Sequence, residues 1–262
     1  MKKVHPIGRR SFLMNTGRGM VGLWSELSFG LGSKMLAIAI GGSGLATACT
    51  QPLIVAPEAT AVSDIDPVEY VRVIADFVNA YVLIRGNEVA LVDTGIPGTG
   101  DQFASVLSDA GLGWDAVNHL ILTHYHGDHV GAMGEVMEAA SGATIYAGAE
   151  DIPQIETPHS IQAVADGDEV FGLQIIGTPG HTLGHISVLD PVGALLVAGD
   201  ALTNAEGTLS GSNPQFTADM ALANDSVRKL ATFPFDTAVF GHGEPLEGNA
   251  SDAVAALAET LE

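Results

Sequence analysis

Cysteine and cationic side chains are what this 262-residue sequence has least of. Its one cysteine, Cys49, has no partner for an intrachain disulfide, so the fold must rest on its packed core. Ten Lys and Arg face 31 Asp and Glu, a formal net charge of −21. Six of the ten (Lys2, Lys3, Arg9, Arg10, Arg18 and Lys34) lie in residues 1–49 beside one acid, Glu26, a local +5. Taking that +5 out of −21 leaves −26 on the remainder, where only Arg72, Arg85, Arg228 and Lys229 are positive. A surface this acidic repels polyanions and has little to clamp a phosphate or carboxylate, which argues against nucleic acid as partner or substrate. A GxSxG elbow is also missing, so nothing points to a serine nucleophile.

Long uninterrupted apolar runs are scarce as well. The run from Met35 to Ala48 is broken by Gly41, Gly42 and Gly44 and is too short to span a bilayer comfortably. It follows Arg9-Arg10-Ser11-Phe12-Leu13-Met14, which resembles a twin-arginine export signal. Residues 1–49 therefore read as an export leader, implying a periplasmic or extracellular location. Ala46-Thr47-Ala48-Cys49 offers both a small-residue cleavage site and a weak lipobox, so Cys49 is a candidate for a lipid anchor to the membrane. Residues 50–67 are Pro- and Ala-rich without periodicity and read as a flexible linker. Residues 68–262 are long enough for one large domain with a proper core.

Within that domain the apolar pattern predicts strands at Tyr70–Ala75, Ala80–Arg85 and Glu88–Asp93, with Gly86-Asn87 turning between the last two. Further strands are expected at Val117–Thr123, Ala143–Ala147, Val170–Ile176, Ile186–Leu189, Ala194–Ala198 and Thr237–Phe240. Helical spacing marks Gln102–Ala110, His129–Ala140, Asp219–Ala231 and Ala250–Leu261. Gly207–Asn213 reads as a flexible loop. Strands bunched in both halves with helices between them suggest two face-to-face sheets flanked by helices.

The chemistry concentrates in His124-Tyr125-His126-Gly127-Asp128-His129, directly after the apolar Leu120-Ile121-Leu122. In an extended segment the side chains at i and i+2 leave on one side, so His124 and His126 converge. Asp128 and His129, past the Gly127 turn, face a second point nearby, a spacing that suits two metal ions better than one. His181 (in Thr178-Pro179-Gly180-His181-Thr182-Leu183-Gly184-His185), Asp200 and His242 each follow an apolar strand and sit among glycines. A closed structural zinc site takes four ligands and often uses Cys, whereas this set offers seven and no Cys.

With Leu91-Val92-Asp93-Thr94-Gly95, these motifs make the stretch from Tyr70 onward resemble the metallo-β-lactamase-fold hydrolase superfamily. The resemblance implies an α+β fold, a four-layer αββα sandwich with a dinuclear site between the sheets. It implies that His124, His126 and His181 bind one metal, that Asp128, His129 and His242 bind the other, and that Asp200 bridges. Asp93 would support the ligands from behind, and His185 would be structural. Imidazole and carboxylate donors suit two divalent ions, Zn²⁺ first, with Fe or Mn as rivals. The expected reaction is attack of a metal-bridging hydroxide on an ester, lactone or related acyl compound, with Asp128 as the catalytic residue that orients it and moves a proton.

The small-molecule substrate is expected to be neutral, because the domain lacks the cations a glyoxalase-II-like thioesterase uses for glutathione. Asp200 at the bridging position departs from true class B β-lactamases. Thioesterase and β-lactamase remain the alternatives, and a mononuclear iron persulfide dioxygenase or a metal-stabilised binding protein are the rivals of another class. For substrate contact the candidates are Tyr125, Phe77, Asn204 and Phe216, each also readable as packing. The sequence does not specify an oligomeric state.

Overall fold

A computed structural model of the chain describes residues 65–261. The leader, Cys49 and all but the last residues of the linker lie outside them. Strands β1 (Glu69–Ala75), β2 (Val78–Arg85) and β3 (Glu88–Val92) form an antiparallel meander, with Gly86-Asn87 as its second turn. Helix α1 (Gly100–Asp109) then leads to β4 (Val117–Ile121), which runs parallel to β3. The short helices α2 (Gly127–Val130) and α3 (Met133–Ala139) lead to β5 (Thr144–Gly148) and then β6 (Ile161–Val164). These six strands pair in sequence order.

The second sheet begins with β7 (Glu169–Val170), β8 (Leu173–Gly177), β9 (Ile186–Asp190) and β10 (Leu195–Val197). A separate hairpin follows, β11 (Leu202–Ala205) with β12 (Thr208–Gly211). Helix α4 (Met220–Leu230) starts at Asp219, whose carboxylate accepts the Leu222 N–H, and ends on Arg228 and Lys229, which complement its C-terminal dipole. Strand β13 (Thr237–Val239) lies parallel to β10, β14 (Leu246–Glu247) closes the edge, and α5 (Ala250–Ala258) comes last.

Alternation along the strands builds the layers. In β3, Ala90 and Val92 face Ile121, Ile175 and Val188 between the sheets, while Val89 and Leu91 face Phe103, Leu107 and Val136 of the outer helices. Across the molecule Ile176, Leu189 and Leu196 pack on Val227, Leu230 and Val254. Each such fully buried side chain contributes about 1.5–3 kcal/mol, so the three apolar layers outweigh anything the few surface ion pairs supply. The result is the expected αββα sandwich. Among the described residues no helix is long and apolar enough to cross a membrane.

Three local expectations differ from the structure, and one strand is additional. The helix over His129–Ala140 is two pieces, because the chain turns at Gly131-Ala132 where it presses on Gly95 and Pro97. The strand over Val170–Ile176 is interrupted by a turn at Phe171-Gly172, both with positive φ. Gly207–Asn213 is not a flexible loop: Thr208–Gly211 is the second strand of the hairpin. Ile161–Val164, which no expectation covered, pairs parallel to β5 at the sheet edge.

Candidate metal centre

The ligand candidates sit on loops and short helical turns that follow the ends of β4, β8, β10 and β13 at one edge of the sandwich. Long-range hydrogen bonds fix that edge. Tyr81 of β2 donates to the Phe240 carbonyl (2.7 Å) and accepts the Phe240 N–H (3.1 Å). Asn79 donates its side-chain amide to the Phe240 and Gly243 carbonyls at 3.1 and 2.8 Å. The first sheet thus holds the loop that carries His242. Between those anchors Gly241 has to be glycine, since a Cβ there would collide with Asp200 Oδ1 and come within 2.7 Å of His129 Cε1.

Two groups of nitrogens and oxygens converge. His126 Nδ1 lies 3.1 Å from His124 Nε2 and 3.0 Å from His181 Nε2. On the other side His242 Nε2 lies 3.4 Å from Asp128 Oδ2, and His129 Nε2 lies 3.8 Å from it. Asp200 stands between the groups, with Oδ1 3.4 Å from His129 and Oδ2 3.5 Å from His181 and 3.2 Å from His242. Within the sets His124/His126/His181, His124/His129/Asp200 and Asp128/His129/His242, the donor atoms all lie within 4.8 Å of one another.

The hydrogen bonds behind these atoms set the tautomers. Asp93, at φ 61°, accepts the Thr123 N–H (2.7 Å), the Thr123 hydroxyl (2.8 Å) and His129 Nδ1–H (2.8 Å). His124 Nδ1–H in turn donates to Thr123 Oγ1 at 3.0 Å. One carboxylate therefore leaves Nε2 of both His124 and His129 facing the centre, one for each group. His181 Nδ1 meets Thr217 Oγ1 at 3.3 Å, and His242 Nδ1–H donates to the Phe77 carbonyl at 2.9 Å. His185 behaves differently. Its Nε2 accepts the Asp200 N–H (3.0 Å) and its Nδ1 bonds Thr178 Oγ1 (2.8 Å), so it supports Asp200 and has no lone pair left for an ion.

The electrostatics match that division. Burial, reinforced by neighbouring imidazoles, holds His124 well below its ordinary pKa, and burial likewise lowers His181 to about 4 and His185 to about 3. Burial lowers His126 too, with Asp128 opposing. Burial acts the same way on His242, but Asp128 and Asp200 outweigh it and raise it to about 10. Burial would raise Asp200, yet His129, His242 and His181 around it hold it well below the carboxylate range.

These residues fit divalent ions. With the Nδ1 atoms of His124 and His181 directed at Thr123 and Thr217, two Nε2 lone pairs face His126 Nδ1, and a single proton there can serve only one of them. Among the described residues His129 Nε2 and Asp200 Oδ1 are buried without a hydrogen-bond partner, a costly state that metal coordination relieves.

The centre opens into a cavity of about 1000 Å³. His126, Asp128, His181, Asp200 and His242 line its floor; Phe77, Phe216, Met220 and Leu261 supply apolar wall. Phe77 is 61% exposed and stacks on the His242 ring at 6.0 Å, and Phe216 is 63% exposed. Two substrate candidates are corrected. Asn204 is buried in β11 and spends its side chain on the Glu244 carbonyl, as a strand residue pinning the His242 loop. Tyr125 packs against the helix-side core and edge-on to His126, away from the cavity lining. Two further histidines lie apart from the centre: His119 packs at a tilt beside Tyr146 and Phe171, and His159 sits in an exposed loop.

Thr123, Asn79 and Tyr81 were missed by the sequence reading. Thr123 could have been found as the hydroxyl preceding the first ligand; Asn79 and Tyr81 act across 159 to 164 residues and carry no local signal.

Residues 73–242 match the family model described as the metallo-beta-lactamase superfamily. The chain belongs to that superfamily. Its relatives include a hydroxyacylglutathione hydrolase of Fuscovulum blasticum, 36% identical over 159 residues, 59% of this chain and 59% of that one. Another, from Rhodospirillum rubrum, is 37% identical over 136 residues, half of each chain at 50%. The chain thus spans only about half to three-fifths of the length of these two curated relatives. The probable metallo-hydrolase YflN of Bacillus subtilis is 30% identical over 206 residues, 60% of this chain and 76% of its own. Among solved structures, a metallo-beta-lactamase family protein from Thermus thermophilus aligns with TM-score 0.60 at 25% identity, over 74% of this chain and 78% of that one. TTHA1623, solved in a di-iron-bound form, aligns with TM-score 0.59 at 25% identity, over 74% and 98%.

Proposed function

We propose that the chain is a metal-dependent hydrolase that opens an uncharged ester or lactone at a centre for two divalent ions. The observation that carries this reading is a seven-residue donor set, five of whose members floor a large cavity whose lining, among the described residues, contains no Lys or Arg. His124, His126 and His181 would hold one ion and Asp128, His129 and His242 the other, with Asp200 shared. Imidazole and carboxylate donors suit Zn²⁺, and the affinity of such sites is generally higher for Zn²⁺ than for Fe²⁺ or Mn²⁺, so Zn²⁺ is the working choice. Ions bound there would supply Lewis acidity and a water of lowered pKa.

The protein's own side chains account for the rest. Asp128, 25% exposed, faces the cavity, where its carboxylate can orient the attacking water, accept its proton and return that proton to the departing oxygen. Asp93, Thr123 and His185 keep the donors in place and take no part in proton transfer. Phe77, Phe216, Met220 and Leu261 offer the non-reacting part of the substrate an apolar surface and displace water from the floor.

A glutathione thioester is the second reading, favoured by the names of the relatives. The cations weigh against it. Arg72 pairs with Glu244, Arg228 with Asp225 and Lys229 with Asp166, while Arg85 bonds the Asp66 and Phe171 carbonyls. None of these lines the cavity, so among the described residues the carboxylates of glutathione would find no counter-charge there. As part of the same proposal, Arg9-Arg10 directs export and Cys49 is the residue open to lipid attachment.

Proton release by the metal-loaded full-length chain should be followed in parallel on lactones, aryl esters, a hydroxyacylglutathione thioester, β-lactams and phosphodiesters. Chelator-sensitive turnover of the uncharged lactones or esters is expected to dominate. Activity confined to the glutathione thioester or to phosphodiesters would refute the substrate assignment.

A further inference from the structure

Asp151 is a carboxylate outside the donor set, in the turn after β5 and only 1% exposed. Among the described residues no Lys or Arg pairs with it. Its oxygens accept the Thr182 hydroxyl at 2.6 Å and the Gly184 N–H at 2.7 Å, and the Tyr125 N–H adds a further favourable contact. We infer that Asp151 is a positioning residue that ties the His124–His126 loop to the His181–His185 loop and thereby sets the spacing of His124, His126 and His181. The inference rests on reading those three histidines as the ligands of one ion.

Each donor is a neighbour of a ligand or of its support. Tyr125 lies between His124 and His126, Thr182 follows His181, and Gly184 precedes His185. One buried group therefore couples two segments separated by more than fifty residues in the chain. The packing leaves no slack around it. A Cβ on Gly184 would lie 2.7 Å from Asp151 Oδ1, and a Cβ on Gly148 would run into the Gly184 carbonyl oxygen. Burial penalises the Asp151 charge, so the carboxylate is tolerated only while those donors face it. Moving the His181–His185 loop costs it both hydrogen bonds, moving the His124–His126 loop costs it the Tyr125 contact, and either cost resists drift of nitrogens that meet at 3.0 and 3.1 Å. The donors that face Asp151 come from those two loops, and none comes from Asp128, His129 or His242.

Competition titrations with Zn²⁺ on the full-length chain test this. The wild type should show two binding steps, and His181→Ala should identify the one that belongs to the three histidines. Asp151→Asn keeps the shape but turns one acceptor into a donor. It should weaken that same step about tenfold, the low end for outer supports of a metal site, and leave the other step within about threefold. Thr182→Val removes one donor and should weaken the same step by less, so a usable variant exists even if Asp151→Asn fails to fold. Two steps left unchanged, or weakened equally as a general loss of stability would do, overturn the inference. A wild type without a His181-dependent step refutes the ligand reading itself, a separate result.

Discussion

The metal centre has a wall and a rim built on different terms. On the wall, His124 and His129 are fully buried, and both are oriented through Asp93, directly or by way of Thr123. On the rim, Asp128 and His242 keep 25% and 27% of their side chains exposed, and His242 is held by one backbone carbonyl on the β1–β2 turn. The contrast separates placement from chemistry. Buried donors with fixed tautomers are suited to holding ions, whereas a solvent-facing carboxylate beside a large cavity is suited to moving a proton between substrate and water.

The largest effect should come from the residue that belongs to both sides. Asp200→Ala is expected to lower affinity for both ions and cut turnover by more than the ~100-fold reached by changes behind the ligands; metal content and initial rates measured together check it. A rim change should be large in rate and small in binding. Asp128→Asn is predicted to lower kcat by about 10²–10⁴ while one ion stays at full affinity and the melting temperature barely moves. The matching wall change reverses the pattern. Asp93→Asn should weaken metal affinity by about 10–100-fold, with turnover partly restored by excess metal. If Asp93→Asn and Asp128→Asn gave the same profile, the division between wall and rim would fail.

The smallest effect is electrostatic and belongs to the metal-free protein. His181 and His185 have folded pKa values of about 4 and about 3, below the ordinary histidine value of about 6.5. The unfolded chain therefore takes up protons first as pH falls below that value, and stability drops on the acid side. His242 has a folded value of about 10, so its contribution is complete below about 6.5 and is lost as pH rises toward 10. Denaturant unfolding of the metal-free chain should give a stability maximum between these limbs. Metal loading requires neutral imidazole, so it should flatten the alkaline limb and release a proton from His242.

The donor set was legible because each member sits next to its own local signal. His124 to His129 are contiguous, and His181, Asp200 and His242 each follow an apolar strand with glycine beside them. The layers were legible for a similar reason, since Ala80 to Leu83 in β2, Val89 to Val92 in β3 and Leu120 to Leu122 at the end of β4 are short runs buried on both faces. What escaped depends on contacts that no window of sequence contains. Asp151 acts on residues about 26 to 33 positions away, and Asn79 and Tyr81 reach across the whole domain. Asn204 looked like a loop residue because Ala205 to Gly207 reads as a turn; it is in fact the strand leading into that turn, and β-pairing turns its amide to Glu244. Tyr125 lies between two ligands, but the i, i+2 geometry that brings His124 and His126 together sends it to the opposite side, into the core.

Anomalous diffraction from zinc-loaded crystals of the full-length chain tests the central claim most directly. Two peaks about 3.5–4 Å apart are predicted, one among His124, His126 and His181 and one among Asp128, His129 and His242, with Asp200 reaching both. A single peak bound by four protein ligands, or zinc elsewhere on the molecule, would contradict the account.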